Sequence, residues 1–175
     1  MRSPLPRRLG LTAVLALVLT AFGLAPSSSA AEPGPAELEF ATDAATTAPG
    51  GTVNLTMTLT NNKTYDLWFV HQTIDPTWLT TQRPDLKYSF TGCTLTTAGG
   101  SAACSGTGPA DLGGNYGAPV PPGQSRTVTL TLRIAPDSGC NGNIGFYSYF
   151  YAEFSDSTNV SGGPVHTPET RVLCS

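Results

Sequence analysis

Charged side chains make up only 12% of this 175-residue chain, and histidine and methionine occur twice each. Two imidazoles leave at most two histidines for catalysis or metal ligation. No two of the four cysteines stand two to four residues apart, which argues against a structural zinc site. No serine lies in a Gly-x-Ser-x-Gly elbow, the strained turn that presents a hydrolase nucleophile. Three of the nine basic residues, Arg2, Arg7 and Arg8, fall at the very start. Beyond residue 30, six basic residues face twelve acidic ones, a net charge of −6. That excess disfavours nucleic acid and anionic membranes as partners. After the first thirty residues no apolar run is long enough to span a bilayer. No Leu-Pro-x-Thr-Gly signal stands near the C-terminus, so release or non-covalent retention is expected rather than wall attachment.

What is present begins with an address. The early arginines precede an apolar run from Leu9 to Ala25, and no acidic residue occurs before Glu32. Small side chains, Ser28 and Ala30, then occupy the −3 and −1 positions of a cut after Ala30. This is the order of a secretory signal peptide. The apolar core, about 15 residues, is shorter than the roughly 20 that a spanning helix needs. Residues 1–30 are read as the signal peptide, 31–36 as a flexible tether and 37–175 as one domain, secreted. Cys93, Cys104, Cys140 and Cys174 all lie in that domain, and an even count in an exported chain implies disulfides. Of the three pairings, Cys93–Cys104 and Cys140–Cys174 are favoured because each joins neighbours in sequence.

The domain alternates short strand patterns with turn signals. Val53, Leu55, Met57 and Leu59 share one face, with threonines and Asn54 between them; Val128, Leu130, Leu132 and Ile134 repeat the device. A period of two means strands with one buried face. Further strands are predicted over Glu37–Thr42, Tyr65–Thr73, Leu86–Thr91, Ala102–Ser105, Asn143–Phe154 and Glu169–Cys174. Seven to nine short strands separated by Gly, Pro, Asn and Asp clusters predict an all-β sandwich or barrel. Pro49-Gly50 and Pro122-Gly123 introduce the two threonine-rich strands, proline setting the turn entry and glycine permitting a positive φ.

Ala48–Asn62, a Pro-Gly turn followed by a threonine-rich strand and an Asn, resembles the opening of a bacterial extracellular immunoglobulin-like repeat family of unknown function. Gly92-Cys93-Thr94-Leu95 and Ala103-Cys104-Ser105-Gly106, followed by Pro122-Gly123 and Thr127–Ile134, are similar to that family's cysteine hairpin and late strand. The resemblance covers roughly residues 37–136. It implies a two-sheet immunoglobulin-like sandwich of the kind used as spacer, stalk or adhesive unit. The aromatic strand and the Cys140…Cys174 bracket fall outside it.

Chemistry is thin along this chain. His71, with Asp75 four residues on, and His166, in a Pro-rich connector, read as surface or capping histidines rather than catalytic ones. The carboxylates of Asp66, Asp75, Asp85 and Glu153 are scattered, and Asp156-Ser157-Thr158-Asn159 reads as a turn rather than a calcium loop. No catalytic, cofactor or metal residue is assigned. Asn54, Asn62 and Asn159 stand in Asn-x-Ser/Thr sequons.

The strongest working surface is aromatic. Within residues 146–154, Phe146, Ser148, Phe150, Ala152 and Phe154 share one face, and Tyr147, Tyr149, Tyr151 and Glu153 the other. With phenylalanine facing the core, the tyrosines form a strip about 14 Å long. Such a strip stacks sugar rings, anchors a protein, or lies covered by a neighbouring strand. Trp68 is expected in the core, and Trp78 in a loop as an exposed anchor.

The expected function is a secreted, non-catalytic binding or structural module at or near the bacterial surface. Tyr147, Tyr149, Tyr151 and Trp78 would meet a cell-surface glycan or protein. An exported effector or inhibitor using the loop Gly106–Gly123 is the alternative, and a small hydrolase the third. Two disulfides predict a gain of four protons in mass on reduction; a bound zinc would contradict the pairing.

Overall fold

A computed structural model describes residues 34–104 and 119–174. The assigned signal peptide and most of the loop Gly106–Gly123 lie outside these described residues. Among the described residues, twelve β-segments and one helical turn follow in chain order: β1 (Ala36–Thr42), β2 (Thr46–Thr47), β3 (Thr52–Asn61), β4 (Leu67–Gln72), β5 (Asp75–Pro76), α1 (Trp78–Thr81) and β6 (Tyr88–Thr97), then β7 (Gly100–Ala103), β8 (Ser125–Ile134), β9 (Gly142–Ile144), β10 (Phe146–Phe154), β11 (Asn159–His166) and β12 (Thr170–Val172). Eight of the strands have four residues or more.

One sheet runs β1-β3-β8-β6-β7, antiparallel throughout. Its centre is the β3–β8 pair, with Val53 opposite Leu132, Leu55 opposite Leu130 and Met57 opposite Val128. These side chains are nearly inaccessible and form one apolar row. On the other face the threonines meet in kind: the Thr58 and Thr127 hydroxyls lie 3.2 Å apart, and those of Thr60 and Ser125 2.8 Å. Such cross-strand pairs contribute roughly 0.2–1 kcal/mol each. Gly50 and Gly123, in the turns preceding β3 and β8, take φ of 85° and 70°, a conformation open to glycine.

The second sheet runs β11-β10-β4, with β5 pairing β10 beyond the end of β4. Phe146, Ser148, Phe150, Ala152 and Phe154 of β10 are buried in the common core with the apolar row of the first sheet. A third, small sheet, β2-β12-β9, closes one end. The domain is an immunoglobulin-like β-sandwich, stapled by Cys93–Cys104 within the β6–β7 hairpin and by Cys140–Cys174 beside β9 and β12, each with Cα atoms 5.2 Å apart.

The predicted strand Asn143–Phe154 is two strands broken at Gly145. That residue's backbone is taken by the α1 turn: its carbonyl accepts from Thr77 N–H (2.9 Å) and Thr80 Oγ1 (3.0 Å), and its N–H donates to Thr80 Oγ1 (2.8 Å). The hydroxyl-rich sequence Thr77–Thr81 also caps α1 itself, Thr77 Oγ1 accepting from Thr80 N–H. Trp78, predicted in a loop, therefore opens a helical turn. His166, predicted in a connector, ends β11. Gly162, Gly163 and Pro164 give that strand poor β-propensity, and it forms at the sheet edge, where a proline is tolerated.

Arg126 faces inward in β8, fully buried, its Nη2 donating to Gln72 Oε1 at 2.7 Å, while Gln72 Nε2 lies 3.2 Å from Met57 Sδ. This polar link joins the two sheets across the buried interior.

The two disulfides close segments of 11 and 34 residues. On the loop-entropy scale, replacing Cys140 and Cys174 by serine should cost about 4 kcal/mol, and replacing Cys93 and Cys104 about 3 kcal/mol. Chemical denaturation of the two double variants measures both.

Candidate functional site

The outer face of the second sheet is laid out by its register. In β10 the outward residues are Tyr147, Tyr149, Tyr151 and Glu153. Tyr147 lies between Asp75 of β5 and His166 of β11. Tyr151 lies between His71 of β4 and Ser161, and Glu153 between Phe69 and Asn159. Both histidines of the chain thus stand on the tyrosine face, and among the described residues neither imidazole makes a hydrogen bond.

The rings touch in sequence. Tyr147 meets Tyr149 edge-on, centroids 5.7 Å apart at 85°, and Tyr147 packs on His166 at 5.8 Å. Tyr151 meets Phe69 at 6.2 Å, and Phe69 meets Trp68 at 6.1 Å. Tyr149 is 47% exposed, while Tyr147 and Tyr151 are half-buried against these neighbours. The Tyr151 hydroxyl donates to Glu153 at 2.7 Å. That bond, with desolvation and the carboxylate's charge acting in the same sense, raises the Tyr151 phenol above its ordinary value.

Between Tyr149 and Tyr151 lies an open groove of about 310 Å³ with His71, Thr73 and Ser161 on its sides and Gly162 beneath. A Cβ at Gly162 would stand 2.4 Å from the ring of the buried Phe150, so glycine is needed there to make room for that ring.

Trp68 is not in the core. Two β4 residues, Leu67 and Phe69, pair with the consecutive β10 residues Phe154 and Glu153, so Trp68 is the extra residue of a bulge. It is 46% exposed, and its Nε1 donates to Phe154 O at 3.1 Å, which fixes the indole. It borders a second hollow of about 490 Å³ with Glu153, Ser155, Ser157 and Asn159. The run Leu67-Trp68-Phe69-Val70 has no alternation, so its sequence carried no signal for the bulge.

Trp78 is 70% exposed beside Leu79 (56%), yet among the described residues no ring contact joins it to the tyrosines. The structure brings Tyr147, Tyr149 and Tyr151 together with Trp68, and sets Trp78 on a separate element. His71 and Ser161 flank Tyr151 from opposite sides, about 10 Å apart by strand spacing, beyond hydrogen-bond reach. Among the described residues no cluster of three His, Cys, Asp or Glu side chains fits a metal ion, and no helix is long and apolar enough to cross a membrane.

No family model matches the chain, and no curated protein matches it by sequence. Among solved structures it resembles the major pilin subunit of Bacillus cereus, with TM-score 0.54 and 5% identity over 80% of this chain; it spans only 40% of that pilin. Weaker likenesses are the sixth cohesin of Acetivibrio cellulolyticus scaffoldin B, in complex with a dockerin (TM-score 0.45, 10% identity, 77% of this chain and 98% of that one), and AvmM, which catalyses macrocyclization in alchivemycin A biosynthesis (0.42, 16%, 79% and 89%). The likeness to the pilin is one of fold, and the weaker ones add nothing to it.

Because Glu153 stabilises the protonated phenol, Tyr151 should lose its proton at higher pH than a free tyrosine. Glu153→Gln should bring it back toward the ordinary value, read by ultraviolet difference titration.

Proposed function

We propose that this chain is an exported, non-catalytic binding module of the immunoglobulin-like kind, acting at or near the bacterial cell surface through the outer face of its β11-β10-β4 sheet. The observation that carries this reading is the exposed Tyr149 beside an open groove lined by His71, with His166 packed on the neighbouring Tyr147. Aromatic side chains with a polar tip and few rotatable bonds are what binding surfaces concentrate. Export rests on the tripartite leader of the sequence. The resemblance of residues 37–136 to extracellular immunoglobulin-like repeats agrees with a surface role, and the groove-bearing strand lies outside that resemblance, where an individual function would be added.

A second reading, a protein-directed effector, draws on one observation: Trp78 and Leu79 form an exposed apolar pair on α1, the kind of anchor a protein interface uses. The loop Gly106–Gly123 proposed for that role lies outside the described residues, apart from its last few.

Retention of the folded chain on bacterial envelope preparations tests the first reading. Tyr149→Ala should lower retention roughly tenfold, the loss expected of one central aromatic contact. Trp78→Ala should leave it unchanged, and the reverse pattern would favour the effector. Turnover of an ester or peptide substrate that vanished with His71→Ala would overturn both.

A further inference from the structure

We infer that the ligand is an extended, uncharged glycan chain lying along β10, held at one end by Tyr149 and at the other by a second subsite built on Trp68 and Asn159. This rests on the proposed role of the outer face as the binding surface and adds its chemistry.

The two hollows share one face and one strand. Tyr149 and Tyr151 border one, Trp68 and Glu153 the other, and the strand between Tyr147 and Glu153 is about 20 Å long. Each hollow sets an aromatic ring beside hydrogen-bonding groups: His71, Thr73 and Ser161 in the first, Glu153, Ser155, Ser157 and Asn159 in the second. A pyranose needs both, a ring face for its C–H side and donors and acceptors for its hydroxyls.

Charge selects among glycans. The outward residues of β4, β5, β10 and β11 include the carboxylates of Asp75 and Glu153 and no lysine or arginine. Lys63, which lies over the Phe154 ring at the second hollow, is engaged with Asp156 at 3.1 Å. Such a face repels uronic acids, phosphates and sulfates and accepts a neutral polymer. The edge-on packing of Tyr147 and Tyr149, at 85°, denies the face a coplanar platform, so it suits a single chain in a groove rather than the flat surface of a crystalline fibre.

Calorimetry on the full chain tests this with hexamers and dimers of β-1,4-linked glucose, mannose and N-acetylglucosamine, and with polygalacturonate as the acidic comparison. At least one neutral hexamer should bind, and polygalacturonate should not. Trp68→Ala should weaken hexamer binding about tenfold and leave dimer binding at the Tyr149 groove unchanged. Asn159→Ala, at an exposed position, should act in the same direction. Hexamer affinity unchanged in both variants would refute the second subsite, and binding of polygalacturonate would refute the charge argument. If no neutral hexamer binds while Tyr149→Ala still lowers envelope retention, the glycan assignment fails and the binding face stands. If retention too is unaffected, the face itself is not the site.

Discussion

The apolar row along the β3–β8 pair is the constraint on which everything else depends. Val53, Leu55, Met57 and Leu59, interleaved with Val128, Leu130 and Leu132, present a strip of hydrocarbon that water must not reach. Each such side chain gains roughly 1.5–3 kcal/mol on burial, so the strip demands a cover. The second sheet supplies it with Phe146, Phe150 and Phe154, separated by the small Ser148 and Ala152. Arg126 of one layer and Gln72 of the other add a buried hydrogen bond between them.

Because a strand has only two faces, the cover determines the surface. Once the phenylalanines point inward, Tyr147, Tyr149, Tyr151 and Glu153 must point out. Neighbouring strands then decide how exposed each tyrosine is. His166 and Phe69 half-cover the outer two, while the backbone irregularity opposite Tyr149 leaves that ring open. The bulge in β4 turns Trp68 onto the same side. The candidate site is thus the reverse of the core, shaped by two local departures from regular strand geometry.

The sequence made the regular parts legible. Strict alternation announced β3, β8 and the two faces of β10, and sequence adjacency suggested both disulfides. Parts that depend on irregular or non-local bonding were not legible. Gly145 breaks a strand because threonines 65 or more residues away in sequence take its backbone hydrogen bonds. β11 has glycines and a proline where a strand signal would need β-branched residues, and it exists because the β10 edge is there to pair with it. Trp68 was placed in the core by the general preference of tryptophan, and only the register with β10 reveals the extra residue. The tyrosine strip could therefore be named in advance, but its two histidines and its second aromatic end could not.

Coupling of core and surface through one strand can be read in a single experiment. Hydroxyl-radical footprinting of the folded chain, alone and with a neutral oligosaccharide hexamer, reports the accessibility of each ring. The account predicts oxidation of Tyr149 and Trp68 in the free chain, protection of both when the hexamer is bound, and little oxidation of Phe146, Phe150 and Phe154 in either state. Oxidised phenylalanines beside protected tyrosines in the free chain would mean that β10 sits the other way round, and the account would be wrong at its root.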